Sequence, residues 1–205
     1  MRWPAAVFVL LTGLLLIGQV FAQQTASTLF GELRPTVYQV RIIDAASGDK
    51  AGLGSGFLIS ADGHVATNYH VIQSLVDEPE KHRLELVNDT DTALEATLIG
   101  IDVINDLAIV RLAIGSARHF KLRTQPINNG ERIYSMGNPH DLGMTIIEGN
   151  YNGRVKSSRF ERFLFSGSLN SGMSGGPAFD EHGHLVGVNV AKGGEQLSFL
   201  VPAKY

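Results

Sequence analysis

Asn170-Ser171-Gly172-Met173-Ser174-Gly175-Gly176-Pro177-Ala178-Phe179 sets Ser174 among three glycines and a proline. Glycine lets backbone approach a reacting atom with no Cβ in the way and reaches dihedrals that other residues avoid, so a Gly-x-Ser-Gly-Gly turn can aim backbone N–H groups at one point. If the N–H groups of Gly172 and Ser174 converge, they would hold the negative oxygen formed when the Ser174 hydroxyl attacks a carbonyl, at roughly 3 kcal/mol per donor. A glycine-rich turn with a capping serine would look the same locally, and a lone Gly-x-Ser motif decides nothing. The question is whether a base and an orienting acid stand elsewhere in matching contexts.

Histidine is the usual general base near neutral pH, and the chain has 7. His70 is singled out because it follows a strand-like run, His64-Val65-Ala66-Thr67-Asn68, and opens a short helical turn over Val71 to Val76. An imidazolium formed in a reaction needs a fixed carboxylate on its other nitrogen. Asp106, at the edge of the apolar run Leu107-Ala108-Ile109-Val110, is placed for that role, with Asp102 four residues earlier as its competitor. The structural alternative for either aspartate is a cap or turn.

Around these residues the pattern is strand, then turn, repeated. Val37 to Ile42 alternates with period two, Gly54 to Ile59 is a glycine-entered strand, and Asp62-Gly63 is a hairpin signal. Leu84 to Val87, Leu94 to Ile99 and Leu107 to Leu112 continue the first set, with Asp77 to Arg83 as an exposed loop. A second set runs through Glu131 to Met136, Met144 to Glu148, Asn152 to Lys156, Phe163 to Phe165, Pro177 to Phe179, Leu185 to Val190 and Ser198 to Val201. Many short, evenly spaced strands imply an all-β barrel or sandwich fold in two halves, with the crossing near Ala113 to Pro126.

Three stretches together, Thr67-Asn68-Tyr69-His70-Val71, Asn105-Asp106-Leu107-Ala108-Ile109-Val110 and Gly172-Met173-Ser174-Gly175-Gly176-Pro177, resemble the signatures of trypsin-like serine proteases, in the same His, Asp, Ser order. Gly54-Ser55-Gly56-Phe57, Met136-Gly137-Asn138-Pro139, Leu185 to Asn189 and Phe199 to Pro202 are similar to the bacterial HtrA/Deg branch, and the likeness covers Leu33 to Ala203. The resemblance implies two perpendicular six-stranded β-barrels with the site in the cleft between them, barrels over 33–118 and 119–205, and a lead-in at 23–32. It implies Ser174 as nucleophile, His70 as acid and base, Asp106 as orienter, and Gly172 and Ser174 as the oxyanion hole. It also implies no cofactor, a polypeptide substrate, and a shallow uncharged pocket at Ser168, Leu169, Val190, Ala191 and Ser198 that favours small aliphatic residues. Glu195, in a glycine-rich loop at the rim, would be the one carboxylate able to recruit a basic side chain instead.

The chain also departs from the family. Met173 stands where the Deg branch usually has Asn and the digestive branch Asp, which removes the carboxylate that pairs with a freed N-terminal amine in digestive zymogens. Ser171 replaces a proline common in the Deg branch. Family members normally continue into a closing helix and often a peptide-binding PDZ domain, and this chain reads as a protease domain without one.

Composition sets the remaining bounds. Lys+Arg 17 against Asp+Glu 20, without a basic block, points away from nucleic acid, and no cysteine means no disulfide framework and no thiol nucleophile. Residues 1–22, with Arg2, an apolar run and Val20-Phe21-Ala22, read as a cleaved secretory signal, so the expected location is periplasmic or secreted with no membrane attachment afterwards. An uncleaved anchor is the alternative. His182 and His184 flank the Gly183 turn and read as a solvated hairpin tip, so no metal site is expected. The sequence leaves oligomeric state open. Two functional readings remain beside the endopeptidase: an inactive protease fold serving as a binding or chaperone module, and an esterase, whose α/β-hydrolase form would need a different chain order.

Overall fold

The computed structural model describes residues 26–155, 160–192 and 197–205, except for the side chains of Ala191 and Lys192. The signal reading, Lys156 and Glu195 fall outside those residues. The first barrel comprises β1 (Val37–Asp44), β2 (Lys50–Leu58), β3 (His64–Thr67), β4 (His82–Val87), β5 (Ala93–Asp102) and β6 (Leu107–Leu112), closed in the order β1-β2-β3-β6-β5-β4. Closure is antiparallel, from Gln39 opposite Val87 to Asp44 opposite His82. Its interior holds Val40, Ile42, Leu58, Val65, Leu84, Leu86, Val110 and Leu112. The Asp62-Gly63 hairpin requires its glycine: φ is +93°, and a Cβ there would lie 2.3 Å from the Leu112 carbonyl.

The second barrel is built from β8 (Arg132–Gly137), β9 (Thr145–Arg154), β10 (Phe163–Phe165), β11 (Pro177–Phe179), β12 (His184–Lys192) and β13 (Ser198–Pro202), ordered β11-β8-β9-β10-β13-β12. Pairing of β11 with β12 closes the ring, and the short β7 (Lys121–Leu122) adds to β12 in parallel. The chain therefore forms two closed six-stranded antiparallel barrels. Between them Phe57, Phe120, Phe179 and Tyr134 pack in series, with ring centroids 5.3, 5.5 and 6.0 Å apart, each separation within the favourable range for aromatic pairs.

Two elements differ from the sequence expectation. Met144 to Glu148 and Asn152 to Lys156 are not two strands; β9 runs unbroken from Thr145 to Arg154, pairing first with β8 and then with β10. Gly149-Asn150 looks like a turn in sequence, but the glycine serves close approach, because a Cβ on Gly149 would lie 2.4 Å from Gly167 N and 2.6 Å from the Phe165 ring. Residues 26–33, of which the sequence reading assigns 26–32 to the lead-in and Leu33 to the start of the first barrel, form a helix, α1, that buries Leu29 and Leu33 in the cluster between the barrels. These two leucines are spaced i, i+4, the separation that puts side chains on one helix face.

Candidate active site

His70 lies in the first turn of α2 (Tyr69–Asp77), which seats Val71 and Ile72 in the first-barrel core. Asn68 precedes it in extended conformation, and its side-chain amide donates to the Asp106 carbonyl at 2.8 Å. Asp106 is itself left-handed, with φ at 62°, a conformation that Asp and Asn tolerate better than most residues. Its carboxylate then grips His70 twice: Oδ1 accepts the His70 backbone N–H at 2.9 Å, and Oδ2 lies 2.8 Å from Nδ1. The imidazole is 43% exposed and the carboxylate 18%, so the ring reaches solvent while the carboxylate is the more buried partner.

Asp102 is occupied elsewhere. Its two oxygens accept the side-chain amide and backbone N–H of Asn105 at 2.7 and 3.0 Å, and these bonds, the side-chain one foremost, pull its carboxyl below the ordinary range. Of the two aspartates the sequence left in contention, Asp106 alone contacts His70 among the described residues.

Ser174 is half-buried, and its hydroxyl donates to the Val190 carbonyl at 2.7 Å. Its own carbonyl accepts Ser55 N–H at 2.7 Å, and a Cβ on Gly54 would lie 2.6 Å from the Val71 methyls and 2.9 Å from the Ser174 oxygen. The β2 segment Gly54-Ser55 is thus wedged between the residue after His70 and the backbone of Ser174, which brings the two motifs side by side.

The peptide groups around Ser174 are held through their carbonyls. Ser171 C=O accepts His140 N–H at 2.8 Å, Gly172 C=O accepts the Ser55 hydroxyl at 2.7 Å, and Met173 C=O accepts the Asn189 side-chain amide and Gly176 N–H, both at 3.1 Å. A trans peptide points its N–H opposite its C=O. The Ser171 and Met173 anchors therefore turn Gly172 N–H and Ser174 N–H the other way, and neither has an acceptor among the described residues. Gly172 has φ of +92°, and a Cβ there would lie 2.2 Å from the Asn138 carbonyl.

The residues read as a specificity pocket differ in exposure. Ser168 is exposed, and Val190 is half-buried. Leu169 is 3% exposed, its side chain packed in the second-barrel core, so toward a ligand it offers backbone rather than side chain. Ser198 is fully buried and its hydroxyl accepts Leu169 N–H at 3.1 Å. Ala191 lies in β12. No group of three or more His, Cys, Asp or Glu side chains suited to a metal occurs among the described residues. No helix of the described residues is long and apolar enough to cross a membrane.

Two supporting residues, Ser55 and Asn189, stand in the sequence reading only as members of family-like stretches, with no role given to either. Both are fully buried polar residues inside strands. Asn189, between Val188 and Val190, additionally accepts the Ser135 hydroxyl at 2.8 Å and donates to Met136 C=O at 3.1 Å. A polar residue interrupting an apolar strand was the available signal.

Residues 54–188 match the family described as the trypsin-like peptidase domain. The chain is similar to the probable periplasmic serine endoprotease DegP-like of Brucella suis, 32% identical over 162 residues that span 73% of this chain and 30% of that protein. It is also similar to Protease Do-like 5, chloroplastic, of Arabidopsis thaliana, with 29% identity across 73% of this chain and 51% of that one. A crystal structure of Deg5 superposes with a TM-score of 0.76 at 28% identity, covering 89% of this chain and 90% of the other. The active form of the Rv3671c protease from M. tuberculosis reaches a TM-score of 0.74 at 21% identity, over 86% and 79% of the two chains, a likeness of fold alone. These two curated relatives are longer than the match, the chain spanning 30% of one and 51% of the other.

Proposed function

From the premise that this chain belongs to the trypsin-like peptidase domain family, with HtrA/Deg proteases among its relatives, we propose that it is an exported serine endopeptidase acting on unfolded or damaged polypeptides. The observation that carries the reading is the double grip of Asp106 on His70. A carboxylate on Nδ1 fixes the tautomer that leaves Nε2 free to accept a proton, and the second bond, to the backbone N–H, fixes where the ring points.

In this reading the Ser174 hydroxyl turns from the Val190 carbonyl to His70 Nε2, gives up its proton and attacks the substrate carbonyl. The N–H groups of Gly172 and Ser174 stabilise the resulting oxyanion. His70 passes the proton to the leaving amine as the C–N bond breaks, leaving an acyl-enzyme. Water then attacks the ester with His70 again as base, and the proton returns to Ser174 as the new carboxyl terminus departs. Proton and electron pair balance within these groups and water.

Small aliphatic residues fit the acyl side of the cut bond. Ser168 brings no charge, the Ser198 hydroxyl is already engaged by Leu169, and an unpaired Lys or Arg head group would cost several kcal/mol against about 0.8 kcal/mol gained per buried methylene. Cleavage mapped mainly after Lys or Arg, and abolished by Glu195→Gln, would overturn this preference. Location in the periplasm or outside the cell rests on residues 1–22 and on the periplasmic name of the Brucella relative.

A second reading, a protease fold used only to bind or chaperone, draws on the Ser174 proton being committed to Val190. One experiment separates them. The mature protein and its Ser174→Ala form are treated with a fluorophosphonate probe, then incubated with an unfolded protein whose fragments are sequenced. Labelling and cleavage lost with Ser174→Ala support the peptidase. An unlabelled protein that suppresses aggregation without cutting supports the binding module.

A further inference from the structure

The turn Pro139–Asp141 carries two consecutive non-glycine residues in the left-handed region, His140 at φ 53° and Asp141 at φ 62°. Such a pair is sparsely populated and persists only where the surroundings over-determine it. The surroundings here belong largely to the other barrel. One Asp141 oxygen accepts the Gln39 side-chain amide at 2.5 Å and lies 3.7 Å from the Arg41 guanidinium, while the other pairs with the Lys50 ammonium. Arg41 in turn donates through Nε to the Gln39 side-chain oxygen Oε1 at 2.5 Å, so β1 and the start of β2 present a preassembled receptor for one carboxylate.

On its opposite side the same turn meets the Ser174 loop. His140 N–H donates to Ser171 C=O at 2.8 Å, and the Asn138 carbonyl fills the space a Gly172 side chain would need. Asn138 N–H is bound by the Ser55 hydroxyl, which also donates to Gly172 C=O. The turn therefore links a charge cluster on the first barrel to the peptide whose N–H is the first of the two free donors beside Ser174.

We propose that Asp141 is a positioning residue for the Gly172 N–H donor. By mooring the 139–141 turn to Gln39, Arg41 and Lys50, it keeps the His140 amide against the Ser171 carbonyl, and with it the orientation of the Ser171–Gly172 peptide. The inference rests on reading Gly172 and Ser174 as the oxyanion donors. The side-chain partners of Asp141 are Gln39, Arg41 and Lys50, none of them a reacting group. Its removal should weaken the transition state while leaving ground-state binding of the substrate in place.

The test compares wild type, Asp141→Ala, Asp141→Asn, Lys50→Ala and the Lys50→Ala/Asp141→Ala double variant on a fluorogenic peptide taken from the mapped cleavage site. Glu78→Gln, in a surface pair with Lys81, is the control. Asp141→Ala should lower kcat about tenfold to a hundredfold, short of the 10²–10³ that loss of a whole oxyanion donor costs, with KM within about twofold. Asp141→Asn, which keeps an acceptor for Gln39, should fall between, and the double variant should be no worse than Asp141→Ala. A peptide aldehyde, which binds as a tetrahedral adduct, should lose affinity in step with kcat. Inert wild type would sink the peptidase reading itself. Active wild type with Asp141→Ala and Lys50→Ala both within twofold in kcat, or with KM and aldehyde affinity failing to separate, would overturn the positioning role. Lys50 is well exposed, so its variant keeps the question answerable if Asp141→Ala does not fold.

Discussion

Replacing Asn189 by Leu should damage stability and catalysis together. The Asn189 side chain is fully buried and makes three hydrogen bonds, from its amide to Met136 C=O and Met173 C=O and to its oxygen from the Ser135 hydroxyl. Leucine makes none of them. Met173 C=O keeps Gly176 N–H, so the loss falls mainly on Ser135 and Met136, each a buried group costing about 1–3 kcal/mol when its partner is removed. Taking about 4 kcal/mol for the two, and about 1 kcal/mol regained from the apolar replacement, the net destabilisation is about 3 kcal/mol. For a domain of this size that lowers Tm by about 6–12 °C. Catalysis should suffer separately, because the Met173–Ser174 peptide loses one of two anchors that orient Ser174 N–H. We expect kcat to fall about tenfold or more at a temperature where the variant is folded. Calorimetry and steady-state kinetics on the same preparation measure both. A variant that melts within 2 °C of wild type (roughly the shift for less than 1 kcal/mol) and turns over normally would show that Asn189 clamps nothing.

Ser174→Ala, His70→Ala and Asp106→Asn should each lower kcat/KM by several orders of magnitude with near-native melting, and their effects should not add, since the three act as a unit; Asp102→Asn as harmful as Asp106→Asn was harmless would reverse the assignment of the acid. Gly175→Ala should be among the most destabilising single changes, about 4 kcal/mol, because φ is +83° and its Cβ would stand 2.2 Å from Ser55 C=O and 2.3 Å from the Thr67 hydroxyl; chemical denaturation measures it. The Asp141 carboxyl is held below the ordinary carboxylate range, chiefly by its bond to Lys50 and then by Gln39. A depressed folded pKa contributes stability above the unfolded pKa and loses it as pH falls through the folded one, so the melting difference between wild type and Asp141→Asn should be constant from pH 8 to 5 and shrink only below about pH 4. Mass spectrometry of exported material should find Met1 to Ala22 removed; a chain still starting at Met1 and resisting extraction from membranes would favour an anchor.

What could be read from the sequence was whatever local chemistry decides. Strand placement followed from period-two alternation and turn residues, and it held for β1, β6, β10 and β11 almost residue for residue. The misreading at β9 has a clear cause: a glycine marks a turn and a close approach with the same letter, and only the Phe165 ring and Gly167 backbone, distant in sequence, distinguish them. The helix at 26–33 was hidden because the segment preceding Leu29 is polar, and its two leucines join a cluster with residues distant in sequence, Phe179 and Leu185 among them. The same limit applied at the site. His70 and Ser174 are singled out by local context and the family resemblance, whereas the choice of Asp106 over Asp102 as the contact of His70 needed the fold. Ser55 holds Gly172 from 117 residues away, and Ser135 meets Asn189 across 54, so nothing near either residue names its partner.

Met173 shows how the loop can hold its geometry around an apolar side chain. Where the resemblance leads one to expect Asn or Asp, this chain has a thioether that is fully buried in the second-barrel core, with Gly137 stripped of a Cβ that would otherwise lie 2.8 Å from Met173 Cα. A carboxylate introduced there would be buried among apolar groups at a cost of several kcal/mol. The loop is held by backbone anchoring: His140 holds residue 171, Ser55 holds residue 172, and Asn189 holds residue 173, each through its carbonyl. At Ser171, where the resemblance leads one to expect proline, the His140 bond restrains the peptide. Residue identity at 171 and 173 is thereby released from setting the loop, while identity at 55 and 189 becomes tied to it. Exchanging Met173 for leucine, a near volume-conserving change, should therefore cost less than about 1.5 kcal/mol and leave kcat within a few-fold, and a large loss of kcat with unchanged stability would mean that the side chain, not the three carbonyl anchors, orients Ser174.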